Sequence, residues 1–132
     1  MRKRIRHQLM ALITDRLFQP NQCDPVTELP AVILDYFAAA NDGRIENATL
    51  CFAENAHVHD ENDDHIEHPA IRKWVADTTR EFQPKTTLLR AIENNGTLVA
   101  TATVSGNFPG SPVDLNFSFT LTAGKIATLS IQ

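Results

Sequence analysis

Residues 57–68 read HVHDENDDHIEH and hold four of the chain's five histidines together with five carboxylates. Two chemistries suit that set. His57 and His59, at i and i+2, project from the same side of a strand and could chelate a metal, with Glu61, His65 or His68 completing the shell. A carboxylate set among apolar neighbours could instead take a proton from a bound molecule. Burial disfavours its charged form and makes it a better base. What separates the two readings is the direction in which each side chain faces.

Alternation along a strand over residues 56–61 puts Ala56, Val58 and Asp60 on one face and His57, His59 and Glu61 on the other. Ala56 and Val58 mark the first face as the inward one. Asp60 therefore points in, and both histidines point out with Glu61. Outward, flexible ligands make a poor catalytic metal site, so neither a metal nor another cofactor is expected. An inward aspartate needs a partner or a purpose. Its bland reading is a structural acid satisfied by backbone N–H groups or an internal water. Tyr36, the single tyrosine, lies on the inward face of a predicted helix, and its hydroxyl also seeks a partner. Tyr36 and Asp60 could give one pocket a donor and a base. His65, just past a polar turn, could assist as an acid–base group near neutral pH.

The elements that must place these residues follow from periodicity. Ile5, Leu9, Leu12, Ile13 and Leu17 predict an amphipathic helix over residues 1–19, and PNQCDPVTELP, residues 20–30, reads as a linker. The main domain is then residues 31–132. Its first helix covers residues 31–41, with Val32, Ile33, Tyr36, Phe37 and Ala40 on one face and Asn41-Asp42-Gly43 as the stop. A second helix is expected over residues 45–54, with Ala48, Cys51 and Phe52 inward. Asn62-Asp63-Asp64 reads as a turn. Pro69 suits the first position of a third helix, which Ile71, Trp74, Val75, Thr78 and Phe82 carry to Pro84, leaving Arg72 and Arg80 outside. From Lys85 the period becomes two. Leu98, Ala100, Ala102 and Val104 mark one strand, and Leu115, Phe117, Phe119 and Leu121 another. Asn95-Gly96 and Ala123-Gly124 read as hairpin turns, and NFPGSP, residues 107–112, as a longer connection. Helices followed by about four antiparallel strands make an α+β domain.

Composition narrows the partners. At 132 residues, 42% of them hydrophobic, the chain can bury a core without disulfides or metal. No apolar run is long enough to span a membrane. The net charge of −4 divides into +4 over residues 1–19 and −8 over the rest. The acidic remainder argues against nucleic acid. The apolar stretch at residues 9–13 is too short for a signal sequence, and no cleavage site follows it. Cys23 and Cys51 match no zinc or redox spacing. They read as free thiols, Cys51 buried, in a reducing cytoplasmic setting.

With these residues in view, the order and spacing of LPAVILDYFAAANDGR, CFAENAHVHDE, HPAIRKWV, VSGNFPGSPVDLNFSFTL and GKIATLSI resemble the nuclear-transport-factor-2-like superfamily, in particular its SnoaL-like branch. The resemblance covers about residues 29–131. It implies a cone of three helices on a curved sheet around a cavity, commonly as a homodimer. The superfamily includes ketosteroid isomerase. That enzyme's catalytic tyrosine matches Tyr36 in DYFAAANDG, and its base matches Asp60 at the end of NAHVHD. By that similarity Asp60 removes a proton beside a carbonyl and Tyr36 donates to the developing enolate oxygen. There are departures. The isomerase's second acid has no counterpart among Leu115, Asn116 and Phe117. Glu61 follows Asp60 where the isomerase has proline, and Glu67 stands where glycine is common in the SnoaL-like branch. The resemblance therefore implies carboxylate chemistry of the isomerase, cyclase, dehydratase or hydrolase type rather than steroid isomerisation itself.

The expectation is thus an α+β cone with a small apolar or carbonyl-containing ligand, walled by Val58, Phe37, Trp74, Leu115, Phe117 and Phe119. Asp60, Tyr36 and His65 are its chemical groups. Two other readings stand beside it. One is a non-catalytic binding or dimeric scaffold module whose Thr and Val face, around Val99, forms an interface. The other is a metal enzyme using His57, His59 and His65.

Overall fold

The structure, a computed structural model, describes residues 29–132. The helix expected over residues 1–19, nearly all of the linker and Cys23 lie outside the described residues. Helix α1 is Ala31–Asn41 and buries Ile33, Tyr36, Phe37 and Ala39. It ends in paired carbonyl caps. The Arg44 N–H donates to the Ala39 oxygen and the Gly43 N–H to the Ala40 oxygen, with Gly43 at φ 71°. That left-handed turn is why glycine follows Asn41-Asp42.

Helix α2 is Ile45–Leu50, six residues rather than the ten expected. The sheet takes the remainder. Strand β1 is Phe52–Asp60, and Phe52 pairs with Ile126 while the Cys51 carbonyl accepts the Ile126 N–H. Burying Phe52 in the sheet outweighs a further turn of helix. Residues 61–62 then reverse the chain, with Glu61 at φ 55° and Asn62 at φ 66°. Strand β2, Asp63–Ile66, returns along β1. The sequence reading took residues 62–64 as the turn and missed this strand, because DDHI carries no apolar alternation.

Helix α3, Glu67–Phe82, starts two residues before Pro69 and buries Ile71, Trp74 and Val75. Pro69 still sits in the first turn, where no intrahelical N–H bond is lost. Glu67 itself has φ 72°. The residue that stands in place of a common glycine thus occupies a backbone region that costs an L side chain about 1–2 kcal/mol. Gln83, at φ 46°, caps the far end and donates its N–H to the Thr79 oxygen.

Strands β3 (Lys85–Asn94), β4 (Thr97–Ser105), β5 (Val113–Thr122) and β6 (Lys125–Ile131) form the meander. The sheet order is β2-β1-β6-β5-β4-β3, antiparallel throughout except for the β1–β6 pair. Asn95-Gly96 and Ala123-Gly124 have both residues at positive φ, as two-residue hairpins require. Along β5 the inward Val113, Leu115, Phe117 and Phe119 are buried, while Asp114, Asn116, Ser118 and Thr120 are half-exposed. Thr101 and Thr103 donate to the Asn116 and Asp114 side chains across that outer face. Helices on one side of a bent, mixed sheet give the cone-shaped α+β domain.

Candidate active site

Asp60 is the last residue of β1, held between Asp63 of β2 and Ile131 of β6. Val58, on the same face, is fully buried, and Asp60 is 6% exposed. Alternation therefore does carry the carboxylate inward. The indole N–H of Trp74 on α3 donates to Asp60 Oδ2 at 3.0 Å. That bond fixes the rotamer of the carboxylate and gives one of its oxygens a donor, as burial of such a group demands.

Tyr36 approaches from α1 and is 5% exposed. Its ring lies edge-on to Phe52 at 5.4 Å and to Phe119 at 6.2 Å, and tilted against Phe37 at 5.4 Å. Each such contact adds about 0.5–1.5 kcal/mol beyond area burial.

Tyr36 and Asp60 line one cavity of about 60 Å³ between α1, α3 and the sheet. Of the expected walls, Trp74, Leu115 and Phe117 line it with them. Val58, Phe37 and Phe119 do not. They are buried in the core behind that wall, where Phe37 meets Phe117 at 5.2 Å and Phe119 at 5.8 Å. The aromatic ring cluster fills the end of the cone that they face. Sequence reasoning missed Asn41. Its amide accepts from the Thr86 N–H and donates to the Thr86 carbonyl, both at 2.8 Å, and so ties the end of α1 to β3 where both line the cavity. Its helix-stopping signal was legible, but a strand 45 residues away was not its visible partner.

Beyond Asp60 and Trp74 lies a second, outer chamber of about 270 Å³, which also carries His65. His65 is half-buried on β2 and stacks on Trp74, with ring centroids 5.8 Å apart and planes 28° apart. Loss of solvation lowers its pKa below the ordinary imidazole value, while Asp63 and Asp64 pull the other way. The ring is therefore mainly neutral at pH 7, able to accept a proton or give one up. Glu61 does not share the outward face of His57 and His59. It sits in the turn, at the rim of the outer chamber.

His57 and His59 leave by the opposite face, and both donate to one atom. His57 Nε2 and His59 Nδ1 lie 2.7 and 2.8 Å from Asp64 Oδ1. His65 projects from the other side of β2, opposite Val58, so the strand pleat separates it from the pair. His68 donates instead to the Phe52 carbonyl at 2.8 Å. Among the described residues no group of three or more His, Cys, Asp or Glu is placed to hold a metal ion.

The Asp64 cluster makes a prediction. Hydrogen bonds from His57 and then His59 hold the Asp64 carboxyl below the ordinary aspartate value. A group depressed on folding stabilises above its unfolded pKa and loses that contribution as pH falls through its folded one. The stability gap between the wild type and Asp64→Asn should be open at pH 5 and close as pH drops below the ordinary aspartate value. Denaturant titrations across that range measure it. A gap that does not change with pH would remove the assignment.

Cys51 is buried and free, and loss of solvation raises its pKa. No helix among the described residues is long and apolar enough to cross a membrane.

Comparison with known proteins adds to this geometry. A family model described as SnoaL-like domain matches residues 33–129. A structure from Sinorhizobium meliloti, provisionally named a polyketide cyclase, is 35% identical, with a TM-score of 0.76 over 79% of this chain and 95% of that one. A Catenulispora acidiphila protein of ketosteroid-isomerase-like fold, solved in complex with trimethylamine, is 15% identical. It aligns with a TM-score of 0.71 over 80% of this chain and 86% of its own. An NTF2-like protein of unknown function from Cytophaga hutchinsonii is 14% identical, with a TM-score of 0.65 over 76% and 85% of the two chains. No curated protein matches the chain.

Proposed function

We propose, from the premise that this chain belongs to the SnoaL-like domain family, that it is an acid–base enzyme acting on a small carbonyl compound. Asp60 takes the proton from the carbon beside the carbonyl. The C–H bonding pair moves into the enolate, and its oxygen accepts a hydrogen bond from Tyr36. Trp74 positions Asp60 by holding Oδ2. His65 passes protons between the Asp60–Trp74 pair and solvent. The enolate can then be reprotonated at another carbon, which is isomerisation, or attack a second carbonyl, which is aldol ring closure. The 35% identical relative carries a cyclase name, which favours the latter.

One observation carries this reading: a buried carboxylate and a buried phenol, brought from different elements, line a single apolar cavity. The test is Asp60-dependent deuterium incorporation from solvent at the α-carbon of a methyl ketone, followed by NMR.

A homodimer belongs to the same proposal. The half-exposed, uncharged Val99 and Thr103 on the outer face of β4 supply a surface for it, with Thr101 buried between them. Sedimentation velocity showing a strict monomer would remove it. A cytoplasmic setting suits the free Cys51 thiol.

A further inference from the structure

We infer that the ligand has two unlike parts, a short apolar arm in the inner cavity and a neutral or cationic polar part in the outer chamber, joined at a carbonyl held by the collar between them. This rests on the reading above only in placing the carbonyl against Asp60.

The collar follows from the lining residues. Among the described residues, Asp60, Trp74 and Thr78 alone face both chambers. Any molecule that reaches Asp60 therefore extends into one chamber or both. The inner walls around it are mainly apolar, built from Val75, Val104, Leu115, Phe117 and Ile131; Tyr36, Thr79 and Thr86 also line them, and the Asn41 amide at that end is engaged with the Thr86 backbone. A charged or strongly hydrated arm placed there would lose most of its hydration for few polar contacts in return. The size sets a limit. At the roomier figure of about 15 Å³ for each water-sized group, the roughly 60 Å³ of the cavity takes an arm of about four heavy atoms.

The outer chamber has another character. Besides Asp60 and Glu61, its walls carry Asp63, Asp77 and Glu81. The nearby cations Lys73 and Arg80 both pair with Asp77. These acids do not create the site, which the cavity defines. They filter what the site admits, since a carboxylate or phosphate on the outer part would meet charges of its own sign.

The test uses wild-type protein and straight-chain methyl ketones from butanone to 2-nonanone, titrated by NMR. Affinity should climb about fourfold per methylene until the alkyl arm reaches about four carbons, and then stop. Val75→Ile, which fills part of the cavity, should move the limit one carbon shorter. Separately, 4-oxopentanoate should bind at least about tenfold more weakly than its amide, and Asp63→Asn with Glu81→Gln should shrink that ratio. Affinity that keeps rising to the longest ketone, or equal binding of acid and amide, overturns the inference. A length limit without Asp60-dependent exchange would keep this ligand shape and remove Asp60 as base. Exchange without a limit would do the reverse.

Discussion

Asp60→Asn should lower the rate of α-proton exchange in a bound methyl ketone by a factor of about 10²–10⁴, the usual contribution of a positioned general base. Asparagine keeps the shape and an oxygen that can still accept from the Trp74 N–H, so the collar survives and the proton acceptor does not. Tyr36→Phe should cost about 10²–10³ for a different reason. It removes a preorganised donor that matters only when charge reaches the carbonyl oxygen. The two variants should therefore leave ketone affinity nearly unchanged while the rate falls. Near-ultraviolet circular dichroism of Trp74, the single tryptophan, reports whether the collar is intact. Exchange that is unaltered in Asp60→Asn, with that signal intact, would leave Asp60 a structural acid and the cavity a binding site only.

The parts of this site legible in the sequence were those set by strict local periodicity. Period-two alternation separated Asp60 from His57 and His59, and a 3.6-residue period put Tyr36 and Trp74 on inward helix faces. That rule needs only a correct element type. It tolerated an error of four residues in where β1 begins, Phe52 rather than Ala56. It failed where an element gave no periodic signal. DDHI has a single apolar residue, Ile66, and no alternation, so its first two residues were read as part of a turn and His65 had no assigned direction. Pairing with β1 settles that direction, and pairing is a long-range fact.

The walls were harder to read than the chemical groups. Val58, Phe37, Phe119, Leu115 and Phe117 all face inward, and inwardness was what the pattern showed. Whether an inward residue meets a cavity or another ring depends on how far the helices stand off the sheet at that level. The aromatic cluster around Tyr36 closes one end, and the Asn41–Thr86 pair holds the other at its spacing. Neither distance is encoded by a local repeat.

That spacing also depends on Gly106, and the largest stability effect should come from filling it. A Cβ on Gly106 would stand 2.6 Å from the Phe82 carbonyl oxygen, 3.3 Å from Pro84 Cα and 3.3 Å from Phe108 Cε1. The first two are backbone at the end of α3 and cannot swing aside as a side-chain tip can. The same oxygen accepts the Asn107 N–H at 2.8 Å, the Gly106 N–H donates to Ser111 Oγ at 2.9 Å, and Phe82 packs edge-on to Phe108. Gly106→Ala must push strand and helix end apart and strain all three. The cost should be about 3 kcal/mol or more, a fall in melting temperature of roughly 10 °C for a domain of this size. Gly96→Ala is the comparison. Nothing lies within 4 Å of its added Cβ, and only the φ of 82° opposes it, so it should cost about 1 kcal/mol. Pro84 lines the inner cavity. Any folded fraction of Gly106→Ala should therefore also bind 2-hexanone, the ketone with a four-carbon arm, more weakly, which Gly96→Ala should not. Equal stability of the two variants would show that the helix end yields, and would remove Gly106 as the residue that sets the width of the cavity.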